Sequence, residues 1–224
     1  CVFVNNVAKG NHSQHPYRDG SGAAIALLGT NNLIENCTFI NNSANPNSNP
    51  DYLGDNIDHG GGAIWSCNGL STLINCTFEN NNATFGGALR GAFNGANSTF
   101  TNNTAYNGNG GGVDMTVNFD LVRDITRVRL DDCTFIGNSA KGPYSPSSIV
   151  SGGCAQGGAI HIYRIDGMVL NNVTCYNNTA YRGGGIDLYV MDFTTITNSD
   201  ISDNTATLGG GVAVVGDNCK FTNL

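Results

Sequence analysis

Residues 36–44 read NCTFINNSA, residues 75–83 read NCTFENNNA, and looser versions return along the whole chain. Self-similarity of this kind constrains the fold more than any local preference, because each unit must bury its apolar face against its neighbours. Two short motifs alternate without exception. The first, C-x-F-x-x-N-x-A, is anchored on Phe3, Phe39, Phe78, Phe100, Phe135, Cys175, Ile201 and Phe221. The second, G-G-A/G-I/L/V, ends on Ile25, Ile64, Leu89, Val113, Ile160, Ile186 and Val212. Phe78 to Leu89 is the shortest step from first anchor to second, 11 residues, and Ile201 to Phe221 gives a minimal turn of 20, so the chain holds about seven turns.

Around each Phe the pattern has period two: Cys37 and Phe39 share one face, while Asn36, Thr38 and Ile40 share the other. Two strand-like patches per unit, joined by Gly-rich corners, predict an all-β parallel β-helix, a β-solenoid of about seven coils in a single domain, 1–224. Stacked at about 4.8 Å, its phenylalanines form an interior column and the rod is roughly 34 Å long. The Gly pairs belong to a corner where positive φ or close packing excludes a β-carbon. The chain opens inside a motif at Cys1, and Cys219–Asn223 repeats the phase of Cys1–Asn5. This reads as a window of a longer solenoid, or as a unit that self-associates end to end in a filament.

Charged residues are only 12% of the chain, and 33 asparagines supply the polarity instead. A net charge of −7 without any Lys/Arg cluster argues against a nucleic-acid partner. No apolar run approaches the roughly 18 residues of a membrane span. The column Asn6, Asn42, Asn81, Asn103, Asn138, Asn178 and Asn204, continuing to Leu224, predicts an amide ladder that joins coils and satisfies backbone at a corner. Its neighbour, Asn5, Asn41, Asn80, Asn102, Gly137, Asn177 and Asp203, varies and is expected to face outward.

The paired signatures Gly61-Gly62-Ala63-Ile64 with Phe39-Ile40-Asn41-Asn42, and Gly86-Gly87-Ala88-Leu89 with Phe78-Glu79-Asn80-Asn81, resemble the polymorphic outer membrane protein repeat of cell-surface proteins. Gly157-Gly158-Ala159-Ile160 fits as well, and the likeness covers nearly the whole chain. The resemblance implies a right-handed parallel β-helix, extracellular or cell-surface location, and adhesion or scaffolding. It carries no catalytic residue.

Five of the eight cysteines, Cys1, Cys37, Cys76, Cys133 and Cys219, hold one repeat position and form an expected inward stack. The coil spacing permits a Cys37–Cys76 disulfide, whereas in-register side chains suit buried free thiols. Cys67, Cys154 and Cys175 lie elsewhere, and the lack of C-x-x-C spacing argues against zinc. Glycosylation sequons occur at Asn11, Asn36, Asn41, Asn75, Asn82, Asn97, Asn102, Asn172 and Asn177. They either follow from the repeat by accident or carry covalent N-glycans on outward columns.

Insertions fall at one corner, at 9–20, 45–60 and 141–156, and loops on a rigid scaffold often hold binding sites. Asp51, Asp55 and Asp58 offer oxygen ligands of the kind Ca2+ takes, or form a solvated acidic loop. His12, His15, Asp19 and His59 make a metal cluster conceivable beside the ordinary reading as surface residues. A fourth insertion, 118–129, sets Arg123, Arg127 and Arg129 against Asp120 and Asp124.

Acid/base chemistry would need carboxylates held at a defined separation. The position after the second anchor places Arg90, Asp114, His161 and Asp187 on consecutive coils, with Tyr163 and Tyr189 two residues further on. This face is a possible ligand or polysaccharide-cleaving site, or a solvent-facing charge ladder that keeps coils in register. The first expectation is therefore a non-catalytic structural or adhesive rod, and the alternative is a carbohydrate-binding or polysaccharide-degrading β-helix.

Overall fold

The computed structural model describes residues 1–9, 20–44, 60–67, 69–116, 128–142, 155–189 and 192–224. Every strand among them pairs in parallel with its counterpart one coil away, and the chain winds through four sheets in turn. Sheet A runs from Val2–Val4 to Asp200–Ser202, and sheet B from Val7–Ala8 to Ser139–Ala140. Sheet C runs from Ile25–Leu27 to Val212–Val215, and sheet D from Leu33–Glu35 to Lys220–Thr222. Sheets A, C and D have seven strands each, so seven coils stack as expected from the motif count. Such strands cannot bury an apolar face alone, and each coil supplies the surface that its neighbour needs.

The first motif builds the core. Phe3, Phe39, Phe78, Phe100 and Phe135 pair strand to strand, with ring centroids 4.8, 4.8, 4.7 and 4.5 Å apart and nearly parallel planes. Cys175 and Ile201 continue that column. Phe221 does not. Its strand belongs to sheet D, where Phe221 pairs with Ile196, so Cys219 lies in register with Thr194 and not with the cysteine column. The matching phase of the two chain ends is thereby corrected, as are the continuation of the amide ladder to Leu224 and the 20-residue minimal turn. The shortest turn runs from Phe78 to Phe100, 22 residues. Sheet D had escaped the motif reading because its strands carry no shared signature: Ile34, Leu73, Gly95, Leu130 and Leu170 fill its inward column.

The corners explain the asparagines. At the A–B corner Asn5, Asn41, Asn80, Asn102, Asn177 and Asp203 all have φ of 53–57°, with Gly137 at 64°. Asn, Asp and Gly are the residues that tolerate this left-handed region, which accounts for the identities in the varying column. The next residue turns inward as the amide ladder. In each rung the backbone N–H and the Nδ2 of one Asn both donate to Oδ1 of the Asn one coil on, as Asn42 does to Asn81 at 3.0 and 2.9 Å. The second Nδ2 hydrogen reaches the carbonyl of the Phe-column residue one coil back, as from Asn81 to Phe39. The pattern runs unbroken from Asn6 through Asn103, Asn138 and Asn178 to Asn204.

The D–A corner uses the same device with a different side chain. Asn36, Asn75, Asn97, Asp132, Asn172 and Asn198 take positive φ, and the residue that follows turns inward, a cysteine or serine on every coil but that of Val173. Cys76 N–H donates to Ser98 Oγ at 3.1 Å, and Ser98 Oγ donates to the Ala96 carbonyl at 2.9 Å. Backbone N–H groups of Cys37 and Ser98 meet Cys76 Sγ and Cys133 Sγ in the same way. Cys37, Cys76 and Cys133 are buried free thiols, whereas Cys1, on the first coil, is exposed instead of inward-packed. Burial pushes the Cys133 thiol up to about 11. At the B–C corner Gly86 has φ of 59°, and a β-carbon on Gly87 would lie 2.1 Å from the Gly111 carbonyl oxygen.

Candidate functional site

Sheet C places Arg90, Asp114, His161 and Asp187 side by side on four consecutive coils, in the register read from the sequence. The side chains point away from the interior because each follows an inward Leu, Val or Ile of the second motif. Their environment differs from the expected solvent-facing ladder: they are 7%, 0%, 2% and 0% exposed. Trp65 and Ala213, on the flanking coils of the same column, are buried too.

Two ion-pair groups divide this layer. Arg90 Nη1 donates to Asp114 Oδ2 at 2.5 Å, and Thr116 Oγ1 donates to the other oxygen at 2.6 Å. Arg182 holds Asp187 as a fork, through Nε to Oδ1 at 2.6 Å and Nη2 to Oδ2 at 2.9 Å. His161 Nδ1 lies 2.9 Å from Asp187 Oδ2. An ionised carboxylate only accepts, so this contact puts the imidazole proton on Nδ1. Two guanidinium charges thus balance two carboxylates, and their attraction and hydrogen bonds offset the cost of holding them away from water.

Arg182 was missed by sequence reading. It sits five residues before Asp187, at the corner position occupied on other coils by Phe85, Asn109, Gln156 and Leu208. Two of these side chains lie over the outer face: Arg90 stacks on Phe85 at 4.7 Å, and Arg182 stacks on Tyr189 at 4.5 Å. The available signal was the recurring five-residue offset ahead of the charged column.

Tyr163 and Tyr189 stack on each other with centroids 5.7 Å apart, and Arg164 lies 4.7 Å over Tyr163. A gap of 5.7 Å cannot also hold a guanidinium, which would need about 3.5 Å on each side. Each Arg therefore covers the face of its ring that the stack leaves open, so the two tyrosines of the expected ligand face use their ring faces on each other and on Arg164 and Arg182.

The sequon residues Asn36, Asn41, Asn75, Asn97, Asn102, Asn172 and Asn177 are exposed at the two asparagine corners. Asn82 is different: it lies on sheet B, half-buried, and accepts a hydrogen bond from Ser43 Oγ at 2.8 Å. Asn11, Asp51, Asp55 and Asp58 lie outside the described residues, as do His12, His15, Asp19, His59, Cys154, Asp120, Arg123, Asp124 and Arg127. Arg129 is described, and it pairs with Asp131 on its own strand. Among the described residues no group of three or more His, Cys, Asp or Glu could hold a metal ion, and no helix is long and apolar enough to cross a membrane.

The chemistry available to the layer is that of a closed electrostatic clasp, with an Asp–His couple as its only acid/base element. No curated protein and no solved structure matches the chain. A family model described as the right-handed beta helix region matches residues 1–151, more than half of the 224, in keeping with the all-parallel stacked sheets, and the chain belongs to this right-handed β-helix family.

Proposed function

We propose that the chain is an extracellular or cell-surface β-helical rod with a structural or adhesive role and no catalytic activity. One observation carries this reading: among the described residues, the column that sets Asp and His side by side is buried, and each of its carboxylates is held by an Arg and a second donor. One outward column of sheet A repeats a threonine hydroxyl on five coils, Thr38, Thr77, Thr99, Thr134 and Thr174, which suits a scaffold better than a reaction centre. The resemblance of the paired Gly-Gly-Ala-Ile and Phe-x-x-Asn signatures to polymorphic outer membrane protein repeats supports the surface location. The test is an assay of purified protein on a panel of neutral and acidic polysaccharides, scored for new reducing ends and unsaturated products. No turnover above a heat-treated control is expected.

The second reading, a carbohydrate-active β-helix, is favoured by the Asp187–His161 contact, which leaves Nε2 as a base. Turnover that disappears in Asp187→Asn while the variant stays folded would overturn the structural proposal in its favour.

A further inference from the structure

The nine sequons are not equivalent, and the geometry points to three of them, Asn41, Asn102 and Asn177, as a file of N-glycan attachment sites spaced every second coil. This rests on the extracellular reading above and adds to it where the sugars sit. All three belong to the A–B corner, are exposed, and take φ of 55, 53 and 55°. Among the described residues their side-chain amides make no hydrogen bond, so each Nδ2 is open to solvent. The D–A corner is mixed: Asn75 Nδ2 donates to Asn36 Oδ1 at 2.6 Å and Asn172 Nδ2 donates to Asp132 at 2.6 Å, whereas Asn97 is exposed like the A–B residues, so the A–B file is set apart by its alternation.

The alternation is what a by-product of the repeat would not give. A sequon here needs Asn at the left-handed position and Ser or Thr two residues later, on the outward side of sheet B. Coils two, four and six have both, in Asn41/Ser43, Asn102/Thr104 and Asn177/Thr179. Each odd coil loses one half: Val7 follows Asn5, Asn82 follows Asn80, and Gly137 and Asp203 replace the Asn before Ser139 and Thr205. A pyranose with its hydroxyls is broader than one coil repeat, whereas two repeats give about 9.5 Å. Gly137 adds a local reason, since a β-carbon there would lie 2.5 Å from Asn102 Oδ1.

Attachment forms a bond from Asn Nδ2 to sugar C1 as the C1–O bond to a lipid-linked diphosphate oligosaccharide breaks. The amide gives up one proton and the diphosphate departs with the bonding pair. The experiment is secretion of the chain from cultured eukaryotic cells, which supply that donor, followed by peptide-N-glycosidase release in heavy-oxygen water and peptide mapping. Sugar is expected at Asn41, Asn102 and Asn177, and the triple variant Ser43→Ala, Thr104→Ala, Thr179→Ala, which keeps the corner asparagines, loses three glycan masses. In Gly137→Asn, which adds a fifth-coil sequon, the occupancies of residues 102 and 137 sum to no more than one. Bare Asn41, Asn102 and Asn177 beside glycosylated Asn36, Asn75 or Asn97 would overturn this proposal alone. A folded, secreted chain with no sugar anywhere would overturn it together with the glycoprotein form of the extracellular reading.

Discussion

Cys76, Ser98 and Cys133 occupy one corner position and do one job: the side chain donates to a carbonyl two residues back and receives the N–H of the neighbouring coil. Serine and cysteine are therefore interchangeable there, while alanine leaves a buried N–H unpaired. Cys76→Ser should be near neutral in chemical denaturation and Cys76→Ala should cost about 1–3 kcal/mol. The same burial makes the thiols inert. Cys133 ordinarily ionises near 9.0 and is held protonated up to about 11 by desolvation, so its folded-state pKa is raised. Its contribution is then complete below pH 9.0 and lost as pH rises through about 11. At about 1.4 kcal/mol per unit, that is on the order of 2–3 kcal/mol. Denaturation midpoints at pH 8 and 11 should fall further for wild type than for Cys133→Ser, which cannot ionise.

Elements here are rungs, and their stability is shared between coils. Asn103 accepts both the backbone N–H and the Nδ2 of Asn81, and donates in turn to Asn138 and to the Phe78 carbonyl. Asn103→Ala leaves two donors of Asn81 buried without an acceptor, so a loss of about 2–5 kcal/mol is expected. Asn103→Asp keeps the acceptor but loses the donors and buries a charge, so it should not rescue. Phe78→Ala opens the middle of the ring stack and should cost about 3–5 kcal/mol. Because each coil contacts only its neighbours, hydrogen exchange should rise most in the strands Thr77–Glu79 and Thr99–Thr101 and least in Asp200–Ser202.

Across the molecule, the outer layer of sheet C ties the coils of Arg90 and Asp114 to each other, and likewise those of His161 and Asp187, from outside while the phenylalanines stack within. Asp187→Asn would leave Arg182 buried against a neutral partner, and removing one member of a buried pair costs about 3–5 kcal/mol. Replacing both, as Arg182→Met with Asp187→Leu, should recover most of that loss, because the penalty comes from the orphaned charge and not from the missing pair. Thermal midpoints of the single and double variants check this. A clasp of this kind makes the fold its own product, in line with a scaffold, and any catalyst using His161 would first have to open it.

Seven coils, the inward Phe column, the Asn ladder and the register of Arg90, Asp114, His161 and Asp187 were all legible in the sequence, because in-register stacking forces equivalent residues into the same place on every turn. Sheet D was not legible, since its inward column accepts any filler from Gly95 to Leu130, and neither was the true position of Phe221, which copies one motif while pairing in another sheet. The left-handed geometry of the asparagine corners was also hidden, because an Asn kept for its backbone looks the same in one letter as an Asn kept for its amide. Repetition determines which residues share a column. What lies against that column is decided by chain segments far away in sequence, and so only the tertiary structure could show the charged face to be buried and Arg182 to be its counterion.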